Sequence, residues 1–433
     1  MISNPFTFGN PIRDPGHFIG RQSDLQQIVN RLRSSAHEST SIVGERRIGK
    51  TSLLKHLDDK NVADSLGLAT DQYCMVYMDF QGLLDITPTR FWQRVLQKME
   101  RRICEPSLTP QIKEIRELKG FDLFDLEDLF TIIYDYGLTI VLLLDEFECV
   151  TQNPNFEADF FGGLRTLAIH HNLALVTATR RELVDLCHSE ELKGSPFFNI
   201  FANLVLRPFT TEEVNELIEK YLDSSEMQFT QDERQFILTL GGGYPFFTQI
   251  AAYYLFDTKD HGFTGNDLFQ QVSQSFDHQA DAHFKYMWSH TNESEKITLL
   301  AVMAHSNQKS PPNKLPSLED LASVHSRAHL DVPELVKRGL LVKEKQDDRY
   351  HILSPSLERW IAREIMAAPG EEESETSLSD WLSSTGQQEI EPVKSVLPKF
   401  KKKYWPILAN FTKDISLGLI GNIAVDLLTQ GLF

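Results

Sequence analysis

One loop motif constrains the fold of this chain more than any other feature of the sequence. Residues 44–51 read Gly-Glu-Arg-Arg-Ile-Gly-Lys-Thr, which matches the pattern GxxxxGK[ST] in full. The two glycines allow the backbone to wrap closely, so that consecutive N–H groups and the start of the next helix face a phosphate. A plausible strand at 41–43 before the loop and a helical pattern after it fit a strand–loop–helix unit. An ordinary glycine-containing turn is the alternative.

The side chains of this loop predict a site for a nucleotide and Mg²⁺. Lys50 can reach the β- and γ-phosphates, and the Thr51 hydroxyl can ligate Mg²⁺. We therefore expect ATP or ADP, together with Mg²⁺, as the cofactors. The predicted nucleotide contacts in the loop are Gly44, Glu45, Arg46, Arg47, Ile48, Gly49, Lys50, Thr51 and Ser52.

An apolar run that ends in two acids, Val-Leu-Leu-Leu-Asp-Glu at 141–146, follows downstream. A strand that ends there delivers Asp145 to the Mg²⁺ side of the site, and Glu146 can polarise an attacking water. The alternative is a strand that simply enters a loop. We predict that Thr51 and Asp145 ligate the metal and that Glu146 is the catalytic base.

A further apolar run, at 173–178, leads into Thr179, Arg180 and Arg181. A guanidinium offers a forked set of donors to phosphate oxygens, so Arg180 can sense the γ-phosphate, with Thr177 or Thr179 as polar support. A surface arginine pair at the start of the next helix is the alternative. The predicted catalytic residues are thus Glu146, Lys50 and Arg180.

Short β-rich runs alternate with helical patterns between residues 40 and 206, which predicts an α/β fold with a parallel sheet. Their nearly continuous apolar character suits strands that are covered on both faces. A further strand fits between the phosphate loop and the acid-terminated run, and this order is typical of the phosphate-loop ATPases that have an inserted strand and a catalytic glutamate. The predicted strands are 40–43, 75–79, 139–144, 173–178 and 204–206.

The chain changes character after Pro208, where the acidic first turn at 210–213 predicts a helix N-terminus. Helical patterns then continue to about residue 290, interrupted by Gly-Gly-Gly-Tyr-Pro at 241–245. A third block has the order of a winged helix, with predicted helices at 294–304, 318–324 and 332–338 and a hairpin of strands at 340–344 and 350–353. Residues 291–365 carry eleven acidic and eleven basic side chains, whereas DNA-reading modules usually carry a basic face.

These patterns predict an ATPase core at 1–207, a helical lid at 208–290, a winged helix at 291–367, an acidic flexible linker at 368–398 and an amphipathic helical segment at 399–433. The last segment begins with four lysines and continues with apolar residues. A helix on a membrane surface is one interpretation. A helix that docks on a partner or on the chain's own core is favoured, because the charges flank the apolar face.

Charge and composition narrow the class of protein. The 433 residues carry a net charge of −18, which disfavours a general affinity for nucleic acid or anionic lipid. The four cysteines lack metal-ligand or CxxC spacing, so we expect structural thiols in a reducing compartment. We recognise neither a signal peptide nor an uninterrupted apolar run of about 18 residues, and therefore predict a cytoplasmic protein without a transmembrane helix.

Five stretches, in the same order, resemble the STAND-type signalling ATPases and their archaeal-ATPase relatives within the AAA+-like P-loop NTPases, over about residues 15–365. Residues 44–54 are similar to the family's GxRRxGKTSLL loop, and 176–180 to its TTR sensor strand with Ala178 interposed. Residues 18–25 resemble the segment F-[IV]-G-R-x-x-E-L, with Asp24 in place of the glutamate. Residues 206–210 resemble the LxPF junction into the lid, and 243–245 match the GxP motif of the lid.

The resemblance implies further contacts. Ile19, Gly20 and Arg21 are expected near the adenine, and Pro245 is expected to pack against it, although a plain helix–helix turn is the alternative for Pro245. His325 and His351 are candidates for the histidine that clamps ADP in some relatives, and neither matches clearly. Arg165 can act on a neighbouring subunit's nucleotide, but a solvated helix residue is the favoured interpretation.

We expect a nucleotide-controlled signalling switch. ADP keeps lid and winged helix closed, while ATP opens the chain, allows homo-oligomerisation and presents the C-terminal segment to a protein partner. Slow hydrolysis resets the switch. The alternative is a nucleic-acid-handling ATPase of initiator or transposition type, with a winged helix that contacts DNA. A scaffold that binds nucleotide without turnover is a third interpretation.

Overall fold

Parallel strands organise the first compact unit, which spans Asn10–Leu206. The computed structural model describes residues 3–12, 14–83, 85–103, 105–118, 120–223, 225–307, 315–344, 348–366, 400 and 402–416. The strands of this unit are β1 (Ser39–Val43), β2 (Tyr73–Asp79), β3 (Thr139–Asp145), β4 (Leu173–Thr179) and β5 (Phe201–Val205). Their order in the sheet is β2-β3-β4-β1-β5, and all neighbours are parallel. Because β4 lies between β1 and β3, the predicted P-loop sheet with an inserted strand is confirmed.

Helices cover the sheet and explain the apolar strands. Every residue of β3 and of β4 is buried, as expected for strands covered on both faces. The helices of this unit are α1 (Gln22–Leu32), α2 (Lys50–Asp58), α3 (Lys60–Ser65), α4 (Pro88–Arg102), α5 (Thr109–Glu117), α6 (Leu123–Asp135), α7 (Glu148–Thr151), α8 (Ala158–His170) and α9 (Glu190–Lys193). Short 3₁₀ helices lie at Pro15–His17, Leu183–Leu186 and Pro196–Ile200.

The last strand differs from its prediction at 204–206. β5 begins at Phe201, directly after a 3₁₀ helix, and pairs with β1 from Phe201 opposite Ser39 to Val205 opposite Val43. Only Leu204 is fully buried in this edge strand. Its apolar signal is therefore weak, and its bounds follow from pairing with β1.

The second compact unit combines the N-terminal residues up to Gly9 with the chain from Arg207 onward. We predicted these N-terminal residues as part of the ATPase core, and this assignment is wrong. Phe6 is fully buried, and its ring stacks on Tyr221 at 5.4 Å and on Phe229 at 5.8 Å between centroids. Burial of these aromatic surfaces holds the segment in the second unit.

Helices dominate the second unit. They are α10 (Thr211–Leu222), α11 (Gln231–Gly241), α12 (Pro245–Asp260), α13 (Gly265–Ser289), α14 (Glu293–Ser306), α15 (Leu318–Ala322), α16 (Ala328–Lys337), α17 (Pro355–Met366) and α18 (Trp405–Ser416), with strands β6 (Leu341–Lys343) and β7 (Tyr350–Ile352). Thr210 and Glu213 form a reciprocal capping box at the start of α10, which ends the strand-rich part of the chain. The turn at 241–245 contains Gly242 at φ 60° and Gly243 at φ 70°.

The third predicted block has the expected order of elements, with shifted bounds. β6 and β7 form an antiparallel pair, and residues 345–347 between them lie outside the described part. α16 begins at Ala328, four residues before the predicted start, because Asp331 in its first turn is fixed by buried hydrogen bonds to α14. α17, which follows the hairpin, has no counterpart among the predicted elements. The identification of this block as a winged helix stays a prediction.

The C-terminal segment packs on its own unit in the part that the structure describes. Phe400, Tyr404 and Leu408 are buried, and α18 contacts α14 and α17. The Tyr404 hydroxyl lies 2.6 Å from Nε2 of His305 on α14. The predicted linker at 368–398 and residues 417–433 of the predicted tail lie outside the described residues. Every described helix is too short or too polar to cross a membrane.

Candidate nucleotide-binding site

The phosphate loop connects β1 to α2 in a tightly bent conformation. The Gly44 N–H donates to the carbonyl oxygen of Thr179 at the end of β4, at 3.1 Å. A Cβ on Gly44 would lie 2.8 Å from the Ile48 side chain, so only glycine fits without a shift. Arg47 and Gly49 have φ values of 70° and 107°. The loop residues predicted from the motif therefore follow one another around a single turn at the carboxyl edge of the sheet.

Lys50 closes this turn from inside. Its Nζ donates to the Gly44 carbonyl oxygen at 2.7 Å and to the Glu45 carbonyl oxygen at 3.2 Å. Only 5% of Lys50 is exposed. The Glu45 carboxylate accepts the Arg46 N–H at 3.0 Å. A buried ammonium thus lies within a ring of loop backbone, where it can attract phosphate oxygens.

Asp145 at the end of β3 meets the first residues of α2. The hydroxyl groups of Thr51 and Tyr77 both donate to its carboxylate, with Tyr77 Oη at 3.0 Å from Oδ2. Burial raises the pKa of Asp145, while these two hydrogen bonds and the Lys50 charge oppose the rise. A carboxylate beside a hydroxyl is the hard oxygen set that Mg²⁺ prefers, so the two predicted ligands fit this metal.

Tyr77 is a site residue that the sequence analysis missed. It lies on β2 opposite Leu143, which places its ring diagonally across from Asp145. The sequence offers no local signal for this contact, because it depends on β2 and β3 being neighbours. The contact follows from the order of strands in the sheet and from the register of β2 against β3.

Glu146 adopts a left-handed backbone conformation with a φ of 52°. Such a conformation is rare for a residue with a side chain and often occurs at functional sites. The Glu146 N–H donates to Asp145 Oδ1 at 3.1 Å. Burial raises the pKa of Glu146, the nearby charge of Glu148 raises it further, and Lys50 and Arg180 oppose the rise. A carboxylate with a raised pKa is a stronger base for activating water.

Arg180 follows β4 and pairs with a second acid that the sequence analysis missed. Its Nε lies 3.0 Å from Oε1 of Glu148, and the side chains are 27% and 3% exposed, respectively. The Thr179 hydroxyl donates to the Arg181 carbonyl oxygen at 2.7 Å. Among the described residues, the buried Thr177 hydroxyl has no hydrogen-bond partner. The sequence signal for Glu148 was its position two residues after Glu146.

Residues 12–21, at the start of the first unit, contact the phosphate loop and the start of α2. The Arg21 guanidinium donates to the Ile48 carbonyl oxygen at 3.0 Å, and Arg21 is largely buried. Gly20 and Arg21 both have positive φ values, and the neighbouring Ile19 is buried. The Ser52 hydroxyl accepts the N–H of Ile12 at 3.3 Å. These contacts attach the predicted adenine-side residues to the phosphate loop.

Other predicted residues lie elsewhere. Pro245 is the first residue of α12, in the second compact unit, and its contact with adenine stays a prediction. His325 is buried in that unit beside Ser294, with 2.7 Å between Nε2 and Oγ, and His351 pairs with a glutamate of the hairpin. Arg165 lies on α8 and is half-buried. Its action on another subunit stays a prediction.

Comparison with known proteins identifies the family. The model of the family Novel STAND NTPase 2 matches residues 29–308, which is more than half of the chain. This chain belongs to the Novel STAND NTPase 2 family. The predicted resemblance to STAND ATPases is thereby confirmed, and with it the expectation of a nucleotide-binding P-loop NTPase. A comparison with curated proteins gives no match.

Two solved structures support the fold of this STAND NTPase. The ORC2 protein of Aeropyrum pernix, in its ADPNP–ADP complexes, has a TM-score of 0.52 and 15% identity, over 80% of this chain and 94% of that chain. A Walker-type ATPase of Pyrococcus abyssi has a TM-score of 0.51 and 15% identity, over 81% of this chain and 98% of that chain. At this level of identity, the two likenesses establish a shared fold only.

Proposed function

We propose that this STAND NTPase is a Mg²⁺-dependent ATPase that works as a nucleotide-controlled signalling switch. The observation that carries the proposal is that the phosphate loop and the polar residues of β3 and β4 meet at one edge of the sheet. Lys50 lies inside the phosphate loop, the Thr51 hydroxyl donates to Asp145, and Glu146 and Arg180 directly follow the adjacent strands β3 and β4. This arrangement matches what phosphoryl transfer to water requires, namely positioning and charge stabilisation.

Each residue takes one task in the proposed reaction. Lys50 turns its ammonium from the loop carbonyls to the β- and γ-phosphates, and Thr51 and Asp145 hold Mg²⁺. When bound, Mg²⁺ neutralises the charge of the phosphates. Glu146 accepts a proton from the attacking water, and Arg180 donates to the γ-phosphate oxygens. The release of phosphate removes the acceptor for Arg180. The site can therefore distinguish ATP from ADP.

The switch would act through the second unit and its C-terminal segment. We propose that ATP promotes homo-oligomerisation and exposes this segment to a protein partner, and that slow hydrolysis reverses both. The packing of Tyr404 and Leu408 against helices of their own unit supports a segment that is held until it is released. The even charge of residues 291–365 argues against DNA as the main partner.

Nucleotide binding is tested first with two substitutions. Lys50→Ala removes a charge that makes charge-assisted hydrogen bonds, so we expect ATP to bind about 10- to 150-fold more weakly in equilibrium titration. The control is Lys60→Ala on the exposed surface of α3, which should bind ATP as the wild type does. Unchanged ATP affinity in Lys50→Ala would refute the proposed site.

The switch is tested with Glu146→Gln, which should bind ATP without turnover. We expect light scattering to show assembly of this variant with Mg·ATP and a monomer with Mg·ADP. A monomer with both nucleotides would reject the proposal that ATP alone causes the protein to assemble. Duplex DNA is then added, and salt-dependent binding by the full chain would favour the nucleic-acid alternative.

A further inference from the structure

Glu148 is a buried acid beside the site for which the proposed reaction has no task. It begins the short helix α7, two residues after Glu146, and its side chain is 3% exposed. Its Oε1 accepts from Arg180 Nε at 3.0 Å. Among the described residues, its buried Oε2 has no hydrogen-bond partner.

The pair of Glu148 and Arg180 differs from an ordinary surface ion pair, because its carboxylate is buried. A buried carboxylate needs strong compensation for its lost hydration, and here the Arg180 guanidinium contributes an opposite charge at 3.0 Å. The arginine, by contrast, is 27% exposed and comes from the strand that ends at the phosphate edge. The acid is therefore the fixed member of the pair, and the arginine is the member that can meet a ligand.

The backbone around Glu148 is anchored independently of the ion pair. The Gln152 N–H donates to the Glu148 carbonyl oxygen at 2.9 Å, and the Thr151 hydroxyl donates to it at 3.3 Å. The same hydroxyl hydrogen is shared with the Leu186 carbonyl oxygen, which lies 3.1 Å from Thr151 Oγ1. The carboxylate thus lies on a rigid support, which is what a positioning group requires.

We propose that Glu148 is the positioning residue of Arg180 and fixes the plane of its guanidinium toward the γ-phosphate. This inference rests on the proposed ATPase function. One of the five N–H groups of the guanidinium serves the bond to Glu148, and a planar group held at Nε has a defined direction for its terminal nitrogens. Loss of Glu148 leaves Arg180 present but misdirected.

The test is a double-substitution cycle of Glu148→Ala and Arg180→Ala in the full chain. We expect Glu148→Ala to lower kcat for ATP about 10- to 100-fold, with a much smaller change in KM. In the Arg180→Ala background, Glu148→Ala should have no further effect on kcat. Independent losses that multiply in the double variant would overturn the proposal, as would wild-type kcat in Glu148→Ala.

Two controls separate positioning from folding. Glu148→Gln keeps an oxygen that accepts from Nε of Arg180. Its kcat should therefore be higher than that of Glu148→Ala, even if the two variants have the same melting temperature. Glu190→Ala removes a carboxylate of an exposed pair, with Lys193 Nζ at 2.7 Å, and should leave kcat unchanged. Equal kcat losses in the Ala and Gln variants, in step with their melting temperatures, would indicate a structural role only.

A second readout keeps this inference distinct from the proposed function. If the wild type binds ATP without hydrolysing it, the ATPase proposal fails, but Arg180 can still discriminate ATP from ADP. The ratio of ATP to ADP affinity should then fall to the same extent in Arg180→Ala, Glu148→Ala and the double variant. A ratio that changes in Arg180→Ala but not in Glu148→Ala would reject the positioning role.

Discussion

Gly49→Ala tests the conformation of the phosphate loop. Gly49 has a φ of 107°, and nothing lies within 4 Å of the position that its Cβ would take. The added methyl group therefore meets no neighbour, and the cost arises from the backbone conformation alone. The substitution isolates one physical effect at the centre of the site.

The magnitude follows from the φ value. A left-handed conformation costs an L-residue about 1–2 kcal/mol, and a φ beyond the usual left-handed minimum places the cost within about 1–3 kcal/mol. If the loop keeps its shape, the free energy of unfolding of the first unit falls by this amount. If the loop relaxes, the stability loss is smaller, and ATP affinity falls at least about tenfold because the N–H groups no longer converge.

The matched control is Gly162→Ala. Gly162 lies inside α8 of the same unit, where its Cβ also meets nothing within 4 Å and φ is not positive. Alanine should stabilise this helix by about 0.5–1 kcal/mol. The same substitution, glycine to alanine, should thus lower the free energy of unfolding at position 49 and raise it at position 162. Hydrogen exchange of β1 and α8 peptides in urea measures both effects in the full chain, and fluorescent-nucleotide titration measures affinity.

The reasoning would be refuted by a Gly49→Ala variant that is as stable as Gly162→Ala and binds ATP like the wild type. That result would mean that the positive φ is not needed for the folded loop. A large loss of stability in Gly162→Ala would show instead that α8 is packed more closely than the structure indicates.

Three further substitutions probe the second unit, by urea unfolding followed through its buried tryptophans. Glu295→Ala should cost about 3–5 kcal/mol, since it strips the buried Arg338 of a carboxylate at 2.9 Å; Glu295→Gln should cost less. Burial alone would raise the pKa of Asp331, but hydrogen bonds hold this pKa below its usual value. The deficit of Asp331→Asn should therefore be full above about pH 4 and disappear as the pH falls through the lowered folded pKa; a pH-independent deficit would contradict this. Gly243→Ala should cost about 2–5 kcal/mol, because its Cβ would lie 2.4 Å from the Phe209 carbonyl oxygen; wild-type stability would contradict the turn geometry.

Local patterns in the sequence were sufficient for the centre of the fold. The phosphate loop, the strand that leads into it and the acid-terminated strand β3 were predicted with bounds within a residue or so of the structure. Their signals come from consecutive residues, either glycines that permit a tight turn or an apolar run long enough for a buried strand. The same holds for the capped start of α10, whose hydrogen bonds join residues three positions apart.

Tertiary structure decided what depends on neighbours distant in the chain. Tyr77 reaches Asp145 only because β2 and β3 are adjacent, and Glu148 meets Arg180 only because β4 lies beside β3. Phe6 joins the second unit because aromatic rings from helices there bury it. No local pattern specifies these contacts, since each depends on which elements pack together. The sequence by itself determined which groups could handle a phosphate, and packing determined which acids and hydroxyls orient them.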